Sequence, residues 1–254
     1  MATRTSSIAA EARRVIRELE AHARPTGTFD AVRYLRTSEP LDFLNTGTPF
    51  VRAVGKAIAR DHRELWTVRE AMAFADLLIR DRRFEVKGVG LETLAAFRRD
   101  LAPPHLLMFK RWLAQNHSAN WATTDSLCGS LISPLLMAHP HLVAIVQSWT
   151  GHRNLWVRRA AAVALVRPAS RGLYLAAAYD VATALRGDPH DLIHKAAGWL
   201  LREAGKTDRK RLEQYLRRHG PAIPRTTLRY AIEHFPPGAR RLLLLDTRKP
   251  NAAD

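Results

Sequence analysis

The chain of 254 residues contains a single cysteine, Cys128. One cysteine excludes a disulfide framework within the chain and a zinc site built on cysteines. Long apolar runs are also missing: none approaches the roughly 18 residues that suggest a membrane-spanning helix, and the leucines at 242–245 form only a short run. The first residues mix charged and apolar side chains, unlike a signal peptide. We therefore expect a cytoplasmic protein.

Acidic residues are few compared with basic ones. The 24 Asp and Glu face 40 Lys and Arg, so the formal net charge is +16. A positive field of this size attracts polyanions, and nucleic acid is the commonest polyanion that a soluble protein meets. A membrane surface is the alternative, but the charge is spread from Arg4 to Lys249, without a polybasic tail or lipidation signal. The charge predicts a nucleic-acid partner and no membrane partner.

Alternating strand patterns are scarce, whereas helical periodicity recurs almost throughout the chain. Proline and glycine divide the periodic segments, and most connections are short, which favours antiparallel helix pairs. We predict helices at residues 5–23, 28–36, 48–61, 63–81, 88–101, 104–116, 120–138, 140–149, 154–167, 170–186, 189–205, 207–219 and 225–235. The sequence thus predicts an all-α protein.

Three tryptophans recur at a similar place in successive helical segments. Trp121, Trp156 and Trp199 are separated by 35 and 43 residues, close to the roughly 40–47 residues of HEAT-like helical repeats. Stacked repeats of this kind form a curved solenoid whose concave side is a binding surface. We predict one domain over residues 1–254, a HEAT-like solenoid with a concave basic face.

The segment KAAGWLLREAGK, residues 195–206, places a glycine and a tryptophan inside a helical pattern. Gly198 costs about 1 kcal/mol relative to alanine in a helix interior, so a close approach should offset that loss. Lys195, Trp199 and Arg202 follow the spacing i, i+4, i+7 and share a face. An aromatic ring between two cations suits a surface that meets an anionic partner, although an ordinary core position for Trp199 stays open.

Two further segments place a tryptophan at a helix start. In NWATTD, Asn120 is a good N-cap, which puts Trp121 in the first turn and Asp125 one turn later on the same face. The alternative is that Trp121 packs between helices while Asp125 is merely solvated.

In NLWVRR, Asn154 is predicted to cap the next helix, and Arg159 lies three residues after Trp156. Arg158 and Arg159 are candidate DNA-binding residues, with a solvated helix edge as the alternative.

A metal site is not expected. His190 and His194 imitate the spacing of a zinc-binding helix, but Asp191 stands where the general-base glutamate belongs. Asp188 and Pro189 look like an N-cap and a first helical residue, and no third ligand is evident. We expect neither a metal nor a cofactor.

Taken together, these motifs resemble the AlkD-type DNA alkylation repair glycosylases, which are HEAT-like repeat proteins. The resemblance is strongest over residues 117–205. It rests on the W-x3-D of Trp121 and Asp125, the N-x-W-x2-R that ends at Arg159, and the KA-x-GW-x-LRE of residues 195–203. A weaker likeness is the G-x-P-x2-R at residues 47–52. One departure is Ala122, where many relatives carry a second acidic residue.

The resemblance implies hydrolysis of the N-glycosidic bond of N3- or N7-alkylated purines in double-stranded DNA by a monomer. Asp125 would stabilise the sugar cation and orient a water, and Trp121 and Trp199 would flank the sugar. Arg159 would hold a phosphate, with Arg158, Lys195 and Arg202 adding affinity. The family is understood to work on an open surface, without a pocket for the base.

Three alternatives remain at this stage: a non-catalytic helical-repeat DNA binder, a glycosylase specialised for bulky natural-product adducts, and a HEAT-like scaffold for protein interactions.

Overall fold

The computed structural model describes residues 2–247, with side chains from residue 7 onward. Within this range the protein is helical, and its only β-pairing is one isolated bridge between Asp42 and Arg83. The all-α prediction is confirmed. The helices are α1 Ala2–Ala21, α2 Ala31–Leu35, α3 Thr48–Asp61, α4 Val68–Ile79, α5 Phe84–Ala96, α6 His105–Ala114, α7 Trp121–Leu127, α8 Ser133–Ala138, α9 Leu142–Gln147, α10 Leu155–Ala169, α11 Leu175–Ala184, α12 Asp191–Gly205, α13 Arg209–His219, α14 Arg225–Ala231 and α15 Pro237–Asp246.

Local sequence signals explain most helix boundaries. The predicted helix at 48–61 has the bounds of α3. Helix α4 starts later than predicted because Thr67 and Glu70 form a capping box at its N-terminus. The prediction placed no helix after residue 235 and so missed α15, whose first residue is Pro237, where the missing N–H costs nothing.

The chain divides into two compact units, residues 1–135 and 136–254. In the first unit, α5 packs against α3 and α4, and α1 also packs against α4. The core of this unit includes Phe74, Phe109 and Trp112, all fully buried. The Trp112 indole N–H donates to Asp76 Oδ1 at 2.7 Å, so the buried ring keeps a polar partner.

The second unit has two layers of helices. Helices α10, α12 and α14 lie side by side in one layer, and α11 packs against both α10 and α12. Helix α13 packs on α12, and the hydroxyls of Tyr215 on α13 and Thr183 on α11 are 3.0 Å apart. This alternation between layers is the packing of an all-α repeat fold.

A close approach of α12 and α14 accounts for Gly198. A Cβ at this position would lie 2.5 Å from Tyr230 Cβ and 2.6 Å from the Thr227 carbonyl oxygen. The Thr227 hydroxyl also donates to the His194 carbonyl at 2.9 Å. Only glycine permits this spacing, so the cost of Gly198 is offset by packing between two helices.

The division into two units does not test the predicted single domain, because a repeat array is itself a series of compact units. The single domain over residues 1–254 stays a prediction. Across residues 2–247, none of the helices combines the length and the apolar character that crossing a bilayer requires.

Candidate active site

Helix α7 carries the first two predicted site residues, and its start is tightly specified. Asn120 is the N-cap, with its side-chain oxygen accepting from the Thr123 backbone N–H at 2.8 Å. Its Nδ2 donates to Thr123 Oγ1 at 2.9 Å. Trp121 is therefore the first helical residue, as the sequence predicts.

A buried lysine holds the loop before α7. Lys87 Nζ donates to the carbonyl oxygens of Ile79 at 2.7 Å and His117 at 2.9 Å. Burial lowers the pKa of Lys87 to about 8, against an opposing effect of Asp81. Because the loop leads directly into Trp121, Lys87 fixes the position from which α7 begins.

Trp121 is half-buried and is oriented by one hydrogen bond. Its indole N–H donates to the Tyr34 carbonyl at 2.9 Å, and the two rings meet edge to face with centroids 5.6 Å apart. The ring is thus partly accessible, rather than packed fully between helices.

Asp125 lies one turn after Trp121 and is also half-buried. The helical spacing puts its carboxylate on the side of α7 that carries the indole. Directly after α7, residues Cys128–Ile132 form a π-helical turn. Such turns are rare and are frequent at functional sites. Both residues thus lie on one side of α7, and their joint part in a site stays a prediction.

A cavity of about 320 Å³ opens beside Trp121 within the first unit. Five aromatic rings on its wall form a continuous series, with consecutive centroids 5.4 to 5.9 Å apart: Trp121, Tyr34, Phe29, Phe43 and Phe84. We call it the aromatic cavity. Sequence reasoning missed it because most of its wall comes from segments far from α7.

The second unit carries the remaining predicted residues. On α12, Lys195, Trp199 and Arg202 are all partly exposed, whereas neighbouring positions such as Ala196 and Leu200 are buried. The three side chains therefore lie on the exposed side of one helix. By contrast, the repeat-related Trp156 on α10 is only 1% exposed and belongs to the core.

Three of the predicted DNA-binding cations already have carboxylate partners. Arg158 Nε lies 2.6 Å from Asp188 Oδ2, and Lys195 Nζ lies 3.3 Å from Asp191 Oδ2. Arg202 pairs with Glu203 at 3.2 Å and also contacts Glu233. Lys195 is the most available, since its side chain is 36% exposed, against 17% for Arg158 and 19% for Arg202.

Arg159 is only 5% exposed, and its Nη1 donates to the Leu192 carbonyl at 2.6 Å. Helix α10 is apolar around most of its circumference, so it is covered on nearly all sides. The side chain links α10 to the first turn of α12. Its contact with a phosphate remains a prediction.

His190 and His194 both make hydrogen bonds at the start of α12. His190, rather than Asp188, is the N-cap: its Nδ1 accepts from the Leu192 backbone N–H at 3.2 Å. The prediction of Asp188 as the cap was wrong, because its Oδ1 instead accepts from the His190 N–H at 2.9 Å. His194 Nε2 is engaged with the Asp188 carbonyl at 2.5 Å. In the described part of the chain, no group of three candidate ligands can hold a metal ion.

The partial exposure of Trp199 gives a direct test of its role. Trp199→Ala should lower the melting temperature much less than Trp156→Ala, because truncating a fully buried tryptophan costs about 3–5 kcal/mol. A shift of about 2–4 °C per kcal/mol is expected for a protein of this size. Calorimetry of the two variants provides the comparison. Equal losses of stability would place Trp199 in the core and remove it from the site.

Within the described residues the fold is all-α, and the formal net charge of +16 suits a polyanionic partner. A family model described as DNA alkylation repair enzyme matches residues 15–235. The chain therefore belongs to the DNA alkylation repair enzyme family, as the motifs in α7, α10 and α12 predict. Its role is in DNA alkylation repair, and its partner is DNA.

A solved structure supports the same fold. The chain is similar to a predicted DNA alkylation repair enzyme from Enterococcus faecalis, with a TM-score of 0.71 and 17% sequence identity over 81% of this chain and 93% of that one. At this identity the likeness shows the fold. No sequence among curated proteins matches the chain.

Proposed function

We propose that this protein is a DNA glycosylase that hydrolyses the N-glycosidic bond of N3- or N7-alkylated purines. The observation that carries the proposal is the pairing of Trp121 and Asp125 on one side of α7, both partly accessible. Membership of the repair family and the +16 charge supply the context.

The chemistry needs little acid catalysis, because alkylation makes the purine a cation and a good leaving group. As the glycosidic bond breaks, its electron pair moves to the purine and neutralises it. Positive charge builds on the sugar, where the Asp125 carboxylate stabilises it. The oxygen of a water then bonds to C1′, and its proton passes to Asp125. Trp121 offers its ring to the same cationic centre.

In the second unit, Trp199 is proposed to face the lesion-bearing strand, and Lys195 to meet phosphates. Arg158, Arg159 and Arg202 keep the proposed role in DNA binding, although each already has a partner within the protein. We also propose that the protein acts as a cytoplasmic monomer on double-stranded DNA. Sedimentation of the free protein tests the oligomeric state.

The deciding experiment is mass analysis of the bases released from duplex DNA treated with several alkylating agents. Release of N3- or N7-alkylpurines at a rate above the spontaneous one is expected, with untreated DNA as the control. The adducts released also decide between small lesions and bulky ones. Tight DNA binding without release of any base would favour the non-catalytic DNA binder instead.

The ion pairs predict that Lys195 and Arg202 contribute differently to the salt dependence of DNA binding. Lys195→Ala should reduce the log–log salt slope of DNA binding by about one unit, because each phosphate contact releases counterions. Arg202→Ala should change it less, since its guanidinium is already held by Glu203 and Glu233. Anisotropy of a labelled duplex measures both slopes. A larger change for Arg202→Ala would reverse the ranking.

A further inference from the structure

Helix α13 carries a dense basic surface that the proposed reaction does not use. Its sequence, RKRLEQYLRRH, contains five Lys and Arg and one Glu. The helix packs through Leu212 and Leu216, both fully buried. At about 100° per residue, Lys210, Arg211 and Arg218 lie on the opposite side of the helix, and all three are exposed. The exposed side of α13 is therefore positively charged along its length.

A further arginine, from the turn after α11, joins this surface. Arg186 is exposed and acts electrostatically on His219 at the end of α13. Burial lowers the pKa of His219, and the charges of Arg218 and Arg186 lower it further. Positive charges from two elements thus meet at this end of α13. We call the following residues the outer basic face: Arg186, Lys210, Arg211 and Arg218.

The cations of the outer basic face are available to a partner. Two other arginines of α13 already have carboxylate partners, in the pairs Arg209–Glu213 and Arg217–Asp246. Across residues 7–247, by contrast, none of the four cations of the face forms an ion pair with a carboxylate. Asp180 and Asp208 lie nearby, as their effects on the tyrosines of α13 and α11 show, but the four cations outnumber them.

The outer basic face points away from the exposed side of α12. Helix α12 lies between α10 and α14, and α11 and α13 cover its back. Lys195, Trp199 and Arg202 occupy the side that these four helices leave open. A straight duplex bound on that side does not reach the outer basic face, whose charge is thus left for a second partner.

The shape and chemistry of this face fit the backbone of duplex DNA. Helix α13 is about 16 Å long at about 1.5 Å per residue, which spans about five phosphates of one strand. The cations are spread along this length, which suits a linear polyanion better than a small anion. None of the exposed residues of α13 is apolar, so the face does not suit insertion into a lipid bilayer. Because DNA is the partner of this family, surrounding DNA is the polyanion nearest to a bound molecule.

We propose that the outer basic face binds a second segment of duplex DNA while the first segment is held on the α12 side. The protein then passes from one segment to another through a doubly bound state. Such transfer shortens the search for damaged sites, because the protein does not return to free solution between segments. The inference rests on the part of the proposed function that places DNA on the α12 side, and it does not depend on the glycosidic chemistry.

Dissociation in the presence of competitor DNA tests the doubly bound state. The full chain is bound to a fluorescently labelled duplex and mixed with increasing amounts of unlabelled duplex, and anisotropy follows the release. At low salt the release rate should rise about tenfold for a tenfold higher competitor concentration, because a second duplex binds through its phosphates before the first one leaves.

Two triple variants show whether the outer basic face is responsible. The first removes three charges of the face: Arg186→Gln, Lys210→Gln and Arg218→Gln. Its release rate should be nearly independent of the competitor. Arg211 is retained because its guanidinium lies over the Tyr179 ring, 4.8 Å from the centroid. The control removes the same charge from exposed positions of the first unit and should keep the dependence: Arg63→Gln, Arg98→Gln and Arg99→Gln. Melting temperatures verify that both variants are folded.

The outcomes separate this inference from the proposed function. A release rate that does not respond to competitor, or a response that the first triple variant retains, overturns the inference. Acceleration by polyglutamate but not by duplex DNA also overturns it and assigns the face to an acidic protein. A response lost in the first triple variant and kept in the control supports it. Absence of base release refutes the glycosylase proposal and leaves this inference intact.

Discussion

Asp125→Asn is expected to lower the rate of base release from alkylated DNA by about 10²–10³-fold while leaving DNA affinity close to that of the wild type. The substitution preserves the shape of the side chain and removes the charge that stabilises the sugar cation, and loss of one preorganised electrostatic group commonly has an effect of this size. Single-turnover assays on a duplex with one alkylated purine measure the rate, and anisotropy measures the affinity.

A matched control is Asp100→Asn, which makes the same change at an exposed position of the same unit. This variant should retain the wild-type rate. If Asp125→Asn also releases bases at the wild-type rate, the carboxylate has no part in the reaction and the proposed mechanism is refuted.

Gly198→Ala is expected to lower the free energy of unfolding by about 1–3 kcal/mol, the usual cost of forcing an extra carbon into a well-packed contact. The new Cβ would meet the Thr227 carbonyl oxygen at 2.6 Å, and a main-chain atom cannot move aside by rotation. Helices α12 and α14 must therefore separate. Denaturant unfolding measures the net loss of stability. A net loss is expected because the strain of the contact outweighs the roughly 1 kcal/mol that alanine adds to helix propensity.

Gly238→Ala is the matched control, because Gly238 lies in α15 and a Cβ there meets no atom within 4 Å. This variant should be as stable as the wild type or more stable by up to about 1 kcal/mol. Stabilisation by Gly198→Ala would show that the close contact between α12 and α14 is absent in solution.

The sequence predicts features that depend on neighbouring residues. The cap at Asn120, the first-turn position of Trp121 and the shared face of Lys195, Trp199 and Arg202 all follow from helical spacing. The family follows from motifs whose order along the chain is specific. These signals are local, so one sequence is enough to read them.

Features that join distant segments are not predictable in this way. The aromatic cavity unites Phe29 with Trp121, and Arg202 meets Glu233, 31 residues away. Arg159 is buried because other helices cover α10 on most sides, and the periodicity of one segment does not show how many helices will pack against it. Helix α15 lies after the last predicted helix, and the two successive prolines at its start are compatible with a helix start or with a helix end.

The π-helical turn at Cys128–Ile132 lies between α7 and α8 and sets how α7 is rotated about its axis relative to α8. A π turn holds one residue more than an α turn, and each residue of an α-helix advances the direction of the side chains by about 100°. Deleting Gly129 would allow an unbroken α-helix, and Trp121 and Asp125 would rotate together by that angle about the helix axis. The indole would leave Tyr34 and the carboxylate would change direction, although neither side chain is itself altered. The direction in which Trp121 and Asp125 point thus depends on the number of residues in the turn after α7.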